Sequence, residues 1–123
     1  MTTALAWLGV AVFGAAGAYG RFYVAGAVTS RYPSAFPFGT FTVNLTGGFL
    51  LGLLTGLGVR GDSLLVFGTG LLGAYTTFST WMVEGQRLGE DSAWATMWLY
   101  VLGSMLAGLA TTGLGWLAGA AMQ

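Results

Sequence analysis

The chain has 123 residues, 55% of them hydrophobic and only 7% charged, with a mean hydropathy of +0.75. Soluble domains carry about 25% charged residues, so this composition excludes a water-soluble core and points to a membrane protein. Four Arg cancel four acidic residues, and Lys, Cys and His are absent. That leaves no basic footprint for nucleic acid, no disulfide or thiolate or imidazole metal site, and none of the usual nucleophile–base pairs of an enzyme. Any metal would be a hard cation held by oxygen. The first Arg comes only at position 21, so the N-terminal apolar run lacks the basic start of a signal peptide and reads as mature structure.

Crossing a bilayer takes about 20 apolar residues. Four runs meet that length, at about residues 4–28, 38–59, 63–84 and 93–118, within a single domain over residues 1–123. The first run carries Gly14, Gly17 and Arg21 on one stripe. A charge inside a span must either snorkel to headgroups or meet a partner, and both readings are open for Arg21. A loop containing Arg31, Tyr32, Pro33 and Pro37 ends this span, because proline disfavours helix in the residue before it.

In the second run Thr40, Asn44 and Gly48 fall on one face at intervals of four. An Asn at mid-membrane can be interhelical glue. It can equally donate two hydrogen bonds to an anion stripped of water. Gly48, Gly52 and Gly56 continue the spacing that lets helix backbones approach closely, within one chain or between chains. Arg60, Gly61 and Asp62 form the turn that follows, and Ser63 is a candidate N-cap for the third run.

The third run is a poor recipe for an uninterrupted helix. Gly70 and Gly73 stand with Thr76, Thr77, Ser79 and Thr80 in an otherwise apolar stretch, and such residues compete with or weaken helical hydrogen bonding. We read residues 73–78 as a helix break serving a polar site, since unpaired backbone at membrane depth survives only where protein buries it or it lines a cavity. Backbone oxygens around Gly73 and Thr76 offer a place for a monovalent cation; a two-fold axis would double them to about four ligands. Phe78 and Trp81 share a face, as packing residues or as ring edges presented to an anion. Glu84 is either a solvated helix end or a group at an ion entrance.

Residues 85–92 are polar, and the fourth run then places Tyr100, Ser104 and Gly108 on one stripe, continued by Thr111 and Thr112. Loop arginines number two on one side (Arg31, Arg87) and one on the other (Arg60). So small a Lys/Arg imbalance instructs orientation weakly, which leaves insertion both ways, and with it an antiparallel dimer, beside a single fixed orientation.

Three blocks resemble the small fluoride channels of the CrcB/Fluc family: Gly14-Ala-Ala-Gly-Ala-Tyr-Gly-Arg-Phe-Tyr23, Pro37-Phe-Gly-Thr-Phe-Thr-Val-Asn-Leu-Thr-Gly47 and Gly70-Leu-Leu-Gly-Ala-Tyr-Thr-Thr-Phe-Ser-Thr80. The resemblance spans nearly the whole chain. It implies an all-α membrane protein of four transmembrane helices with a break in the third, assembled as an antiparallel, dual-topology homodimer in the inner cell membrane. It implies passive, fluoride-selective export, with a structural sodium ion at the dimer centre on the carbonyls of Gly73 and Thr76. The fluoride pathway it implies runs through Asn44, Phe78, Thr77, Ser79, Thr80, Trp81, Tyr100, Ser104, Arg21 and Glu84. Trp81 stands where the family usually has Phe, and Gly108 where a further hydroxyl is expected.

Two other classes compete. A small multidrug exporter wants a carboxylate in its first span, where this chain has Arg21. A scaffold that transports nothing needs no convergence of Asn, aromatic and hydroxyl stripes.

Overall fold

In the computed structural model, which describes residues 3–123, the first helix opens on Thr3, whose Oγ1 accepts the Ala6 N–H at 3.2 Å. That helix, α1 (Ala4–Arg31), runs on until Pro33 approaches and Tyr32 N–H closes on the Val28 carbonyl at 2.8 Å. After a short loop, α2 (Phe38–Gly56) starts behind Pro37. It ends in a Schellman motif: Gly58 takes φ +75° while Gly58 and Val59 donate to Thr55 and Leu54. Glycine fits there because the left-handed conformation costs other residues about 1–2 kcal/mol. The terminal Gln123 amide also donates to the Gly56 carbonyl. The second helix thus stops at Gly56, short of the expected residue 59, and the turn is built by residues 57–60.

The third passage comes in pieces. A single turn, α3 (Gly61–Ser63), leads into a π-helical stretch (Leu64–Leu72), then α4 (Gly73–Tyr75) and α5 (Ser79–Glu90). Ser63 lies inside the helical backbone, and Arg60 occupies the cap position without a side-chain bond. The widened π-helical stretch packs backbone to backbone on α1. A Cβ on Gly17 would strike the Leu71 carbonyl, and one on Gly70 would lie 3.1 Å from Val10 Cα. Phe13 and Phe67 lock the same seam edge to face, with centroids 4.9 Å apart. Helix α5 carries most of the polar segment expected as a connector, and Ser92 at φ 58° ends it in a second Schellman motif.

The last helix, α6 (Trp94–Ala121), lies against α2 along a seam of glycines. A Cβ on Gly52 would meet the Thr112 carbonyl, on Gly56 that of Trp116, on Gly115 that of Phe49 and on Gly119 that of Leu53. The small-residue stripe of the second span is therefore an intramolecular interface. Helices α1, α2 and α6 are each long and apolar enough to cross a membrane. Their outer faces expose Leu8, Val12, Leu102, Leu106 and Leu109, a surface that hydrocarbon would cover. The chain is a multi-pass membrane protein. Among the described residues Val43 and Tyr100 are the fully buried large side chains, and Tyr100 sits where α2, α5 and α6 approach.

Candidate functional site

Two polar nodes are built into this bundle, and a cleft runs between them. The first is at residues 76–78, between α4 and α5. Thr76 adopts φ −80° and ψ 161°, an extended conformation, while its N–H and Oγ1 still reach back to the Leu72 carbonyl at 2.9 and 3.0 Å. The next residue turns to α2. Asn44 Oδ1 accepts the Thr77 N–H at 2.8 Å, and Asn44 Nδ2 donates to the Thr77 carbonyl at 2.8 Å. A continuing helix would send that N–H to the Gly73 carbonyl. Among the described residues no backbone N–H reaches the Gly73 oxygen.

The Thr77 side chain then starts α5. Its Oγ1 accepts the Thr80 N–H at 3.2 Å and donates to Thr80 Oγ1 at 3.1 Å, so it supplies the cap that Phe78 cannot. Arg21 crosses from α1 and donates from Nη1 to the Thr76 carbonyl at 3.4 Å. Gly47 lets α2 come this close, since a Cβ there would collide with Thr76 Cγ2. Tyr75 and Thr46 share a hydrogen bond at 2.9 Å behind the turn.

The second node is Glu84. Thr40 Oγ1 donates to its Oε1 and Tyr100 Oη to its Oε2, both at 2.9 Å. One carboxylate thereby ties α2, α5 and α6 together. Thr40 and Tyr100 are both buried, and Phe36 from the loop stacks edge to face on Tyr100 at 5.3 Å. Glu84 is therefore neither a free helix end nor an isolated charge.

A cleft of about 480 Å³ joins the nodes, lined by Arg21, Thr40, Thr77, Thr80 and Glu84 among others. A second cleft of about 270 Å³ shares Thr29, Pro37 and Glu84 with it and opens toward Arg87 and Asp91. Together they trace a route from the charged end of α5 past Glu84 to the turn. Deeper along α5, Phe78 and Trp81 meet edge to face at 5.5 Å. The contacts of Glu84 with Tyr100, Gly85 with Val101 and Gly89 with Met97 set an antiparallel register that puts Trp81 level with Ser104. Trp81 Nε1 and Ser104 Oγ are both buried without a hydrogen-bond partner among the described residues. Each is a polar group left over in the interior, and a buried unpaired polar group costs about 1–3 kcal/mol.

The expected pathway residues thus divide. Arg21, Thr77, Thr80 and Glu84 line the cleft; Tyr100 and Ser104 lie buried behind it. Phe78, 70% exposed, and Ser79 face outward from this chain, as does Gly73. Asn44 is committed to the Thr77 peptide, with one amide proton left over. The role of Thr40 as a donor to Glu84 is not among the sequence expectations, although its position four residues before Asn44 on the same helical face is a signal for it. The Thr46–Tyr75 bond had no such signal. Among the described residues no three His, Cys, Asp or Glu cluster, so carbonyl and hydroxyl oxygens are the ligands on offer.

Residues 8–116 match the family described as CrcB-like protein, Camphor Resistance (CrcB). The chain is similar to the fluoride-specific ion channel FluC 2 of Mycobacterium tuberculosis (strain ATCC 25618 / H37Rv), at 48% identity over 117 residues covering 94% of this chain and 93% of the relative. It is similar to FluC 1 of Leifsonia xyli subsp. xyli at 41% over 125 residues, covering 98% and 91%. FluC 2 of Haloarcula marismortui matches at 46% over 103 residues, 84% of either chain.

Proposed function

The chain belongs to the CrcB-like family, a family of channels and not of enzymes, and from that premise we propose that it conducts fluoride passively and selectively out across the cell membrane. The observation that carries the reading is the cleft between the turn and Glu84, walled by Thr40, Thr77, Thr80, Arg21 and Glu84. Fluoride is small and strongly hydrated, so it enters such a route only where donors replace its water. The Thr80 and Ser104 hydroxyls, the Trp81 N–H, the spare Asn44 proton and the Phe78 ring edge are of the right kind. Thr77 and Tyr100, whose protons go to Thr80 and Glu84, would have to turn from those partners to join them. Arg21 favours an anion at the inner end of the cleft. Larger chloride gains less from each donor and needs a wider passage.

The functional unit in this reading is an antiparallel, dual-topology homodimer. Its support is the exposure of Gly73, Phe78, Ser79 and Thr80 within the spanning region. Hydroxyls and backbone there face hydrocarbon unless a second copy covers them. The same copy would double the carbonyls around the turn, where a structural sodium ion would be held by Gly73 and Thr76. The donor set fits a hard monovalent cation: the Gly73 oxygen receives no backbone N–H, and the Thr76 oxygen has only the long contact from Arg21. Sodium bound there would add a fixed positive charge at the centre of the assembly.

Efflux from liposomes holding the purified protein tests the reading, with fluoride and chloride run in parallel. Fast fluoride loss with negligible chloride loss is expected. Equal silence toward both ions, from a folded preparation, overturns it.

A further inference from the structure

The hydrogen bonds of Asn44 give it a task apart from donating to a passing anion. Its Oδ1 takes the Thr77 N–H at 2.8 Å, the group that would otherwise close the next helical turn onto the Gly73 carbonyl. Its Nδ2 takes the Thr77 carbonyl at 2.8 Å. One side chain on α2 thus satisfies both polar groups of one peptide residue on the neighbouring passage. The backbone can leave the helix at Thr76 without orphaning either group in the membrane. What it leaves unsatisfied is the Gly73 carbonyl, at a residue that is itself exposed.

We infer that Asn44 is a positioning residue for a cation: by diverting the Thr77 N–H it turns the Gly73 carbonyl from a helix acceptor into a metal ligand. The inference rests on the sodium reading above. It separates the two ends of the amide. The acceptor, Oδ1, opens the carbonyl; the donor, Nδ2, serves the Thr77 oxygen and keeps one proton for an anion. Asp in place of Asn keeps the acceptor and loses the donors. Leu loses both, and the Thr77 N–H is then free to return to Gly73.

Thermal unfolding of the full-length purified protein, followed by tryptophan emission in sodium chloride and in N-methylglucamine chloride, reads the cation directly. The wild type is expected to unfold at a higher temperature in sodium. Asn44→Asp keeps that sodium-dependent shift while its fluoride efflux is lost, and Asn44→Leu loses the shift. A lost shift in Asn44→Asp overturns the inference, and so does a full shift in Asn44→Leu. Should Asn44→Leu fail to fold, the Asn44→Asp result decides alone. A wild type with no sodium-dependent shift overturns both the cation site and this role of Asn44; fluoride efflux of that same wild type judges the channel reading separately.

Discussion

Helix α2 meets two neighbours in opposite ways. Along α6 its glycines lie so close to carbonyls that a Cβ on Gly52 or Gly56 would collide with backbone of the partner helix, and neither helix lends the other a hydrogen bond there apart from the capping of the Gly56 end. Toward the turn, Thr40 and Asn44 reach across with side-chain bonds to Glu84 and Thr77. The α6 seam is closed by shape, with no volume to spare. The turn side is held by polar bonds that leave donors and one carbonyl over. Van der Waals closeness fixes a scaffold in lipid, whereas a polar contact with spare valence can also meet an ion.

Substitutions can break that contrast. The largest effect is expected from Gly52→Leu, which drives a side chain into the Thr112 carbonyl on a seam with no room to yield. Overpacking typically costs about 1–3 kcal/mol and backbone collision more. No folded peak should survive on size exclusion; a normal elution profile would show that the seam is softer than its geometry. Next comes Asn44→Asp, expected to fold yet lose fluoride efflux by at least about a hundredfold, since like charges about 4 Å apart repel by about 4 kcal/mol near a protein surface. Wild-type efflux from that variant would remove the spare amide proton from the pathway.

Phe78→Ile is expected to cost about tenfold in efflux, the scale of one aromatic contact, with elution unchanged. A normal rate would return the ring to ordinary packing. Tyr100→Phe is the mildest. It removes one of two donors to Glu84, a bond worth about 1.5–3 kcal/mol at most to a charged group and offset by its partner Thr40. Efflux should fall a few-fold with stability nearly intact. A loss as large as that of Asn44→Asp would make Glu84 the controlling node.

Much of this architecture is legible in the sequence alone. The three long apolar helices follow from run length, and the crowding of Gly70, Gly73, Thr76 and Thr77 pointed to the place where helical backbone gives way between Tyr75 and Ser79. The non-helical part is confined to residues 76–78, narrower than residues 73–78, because Gly73, Ala74 and Tyr75 still complete a turn. Low hydropathy sets residues 85–90 apart from the spans but does not decide their conformation; they continue α5, with Gly85, Leu88 and Gly89 buried and Gln86 bonded to Glu90 at 2.9 Å on the exposed side.

By itself, then, the sequence determined that this chain crosses a membrane, about where, and which polar residues lie at depth. Those properties are local: each residue carries its own transfer cost and its own backbone preference wherever it packs. Partnerships were decided only in three dimensions. A glycine stripe says that something approaches closely, and the bundle made that neighbour α6 of the same chain. An Asn and a Glu in apolar runs say that partners are needed; tertiary packing chose the Thr77 peptide for one and the Thr40 and Tyr100 hydroxyls for the other. Hydrogen bonds are short and directional, so residues far apart in the chain form them only after packing has brought the helices into register.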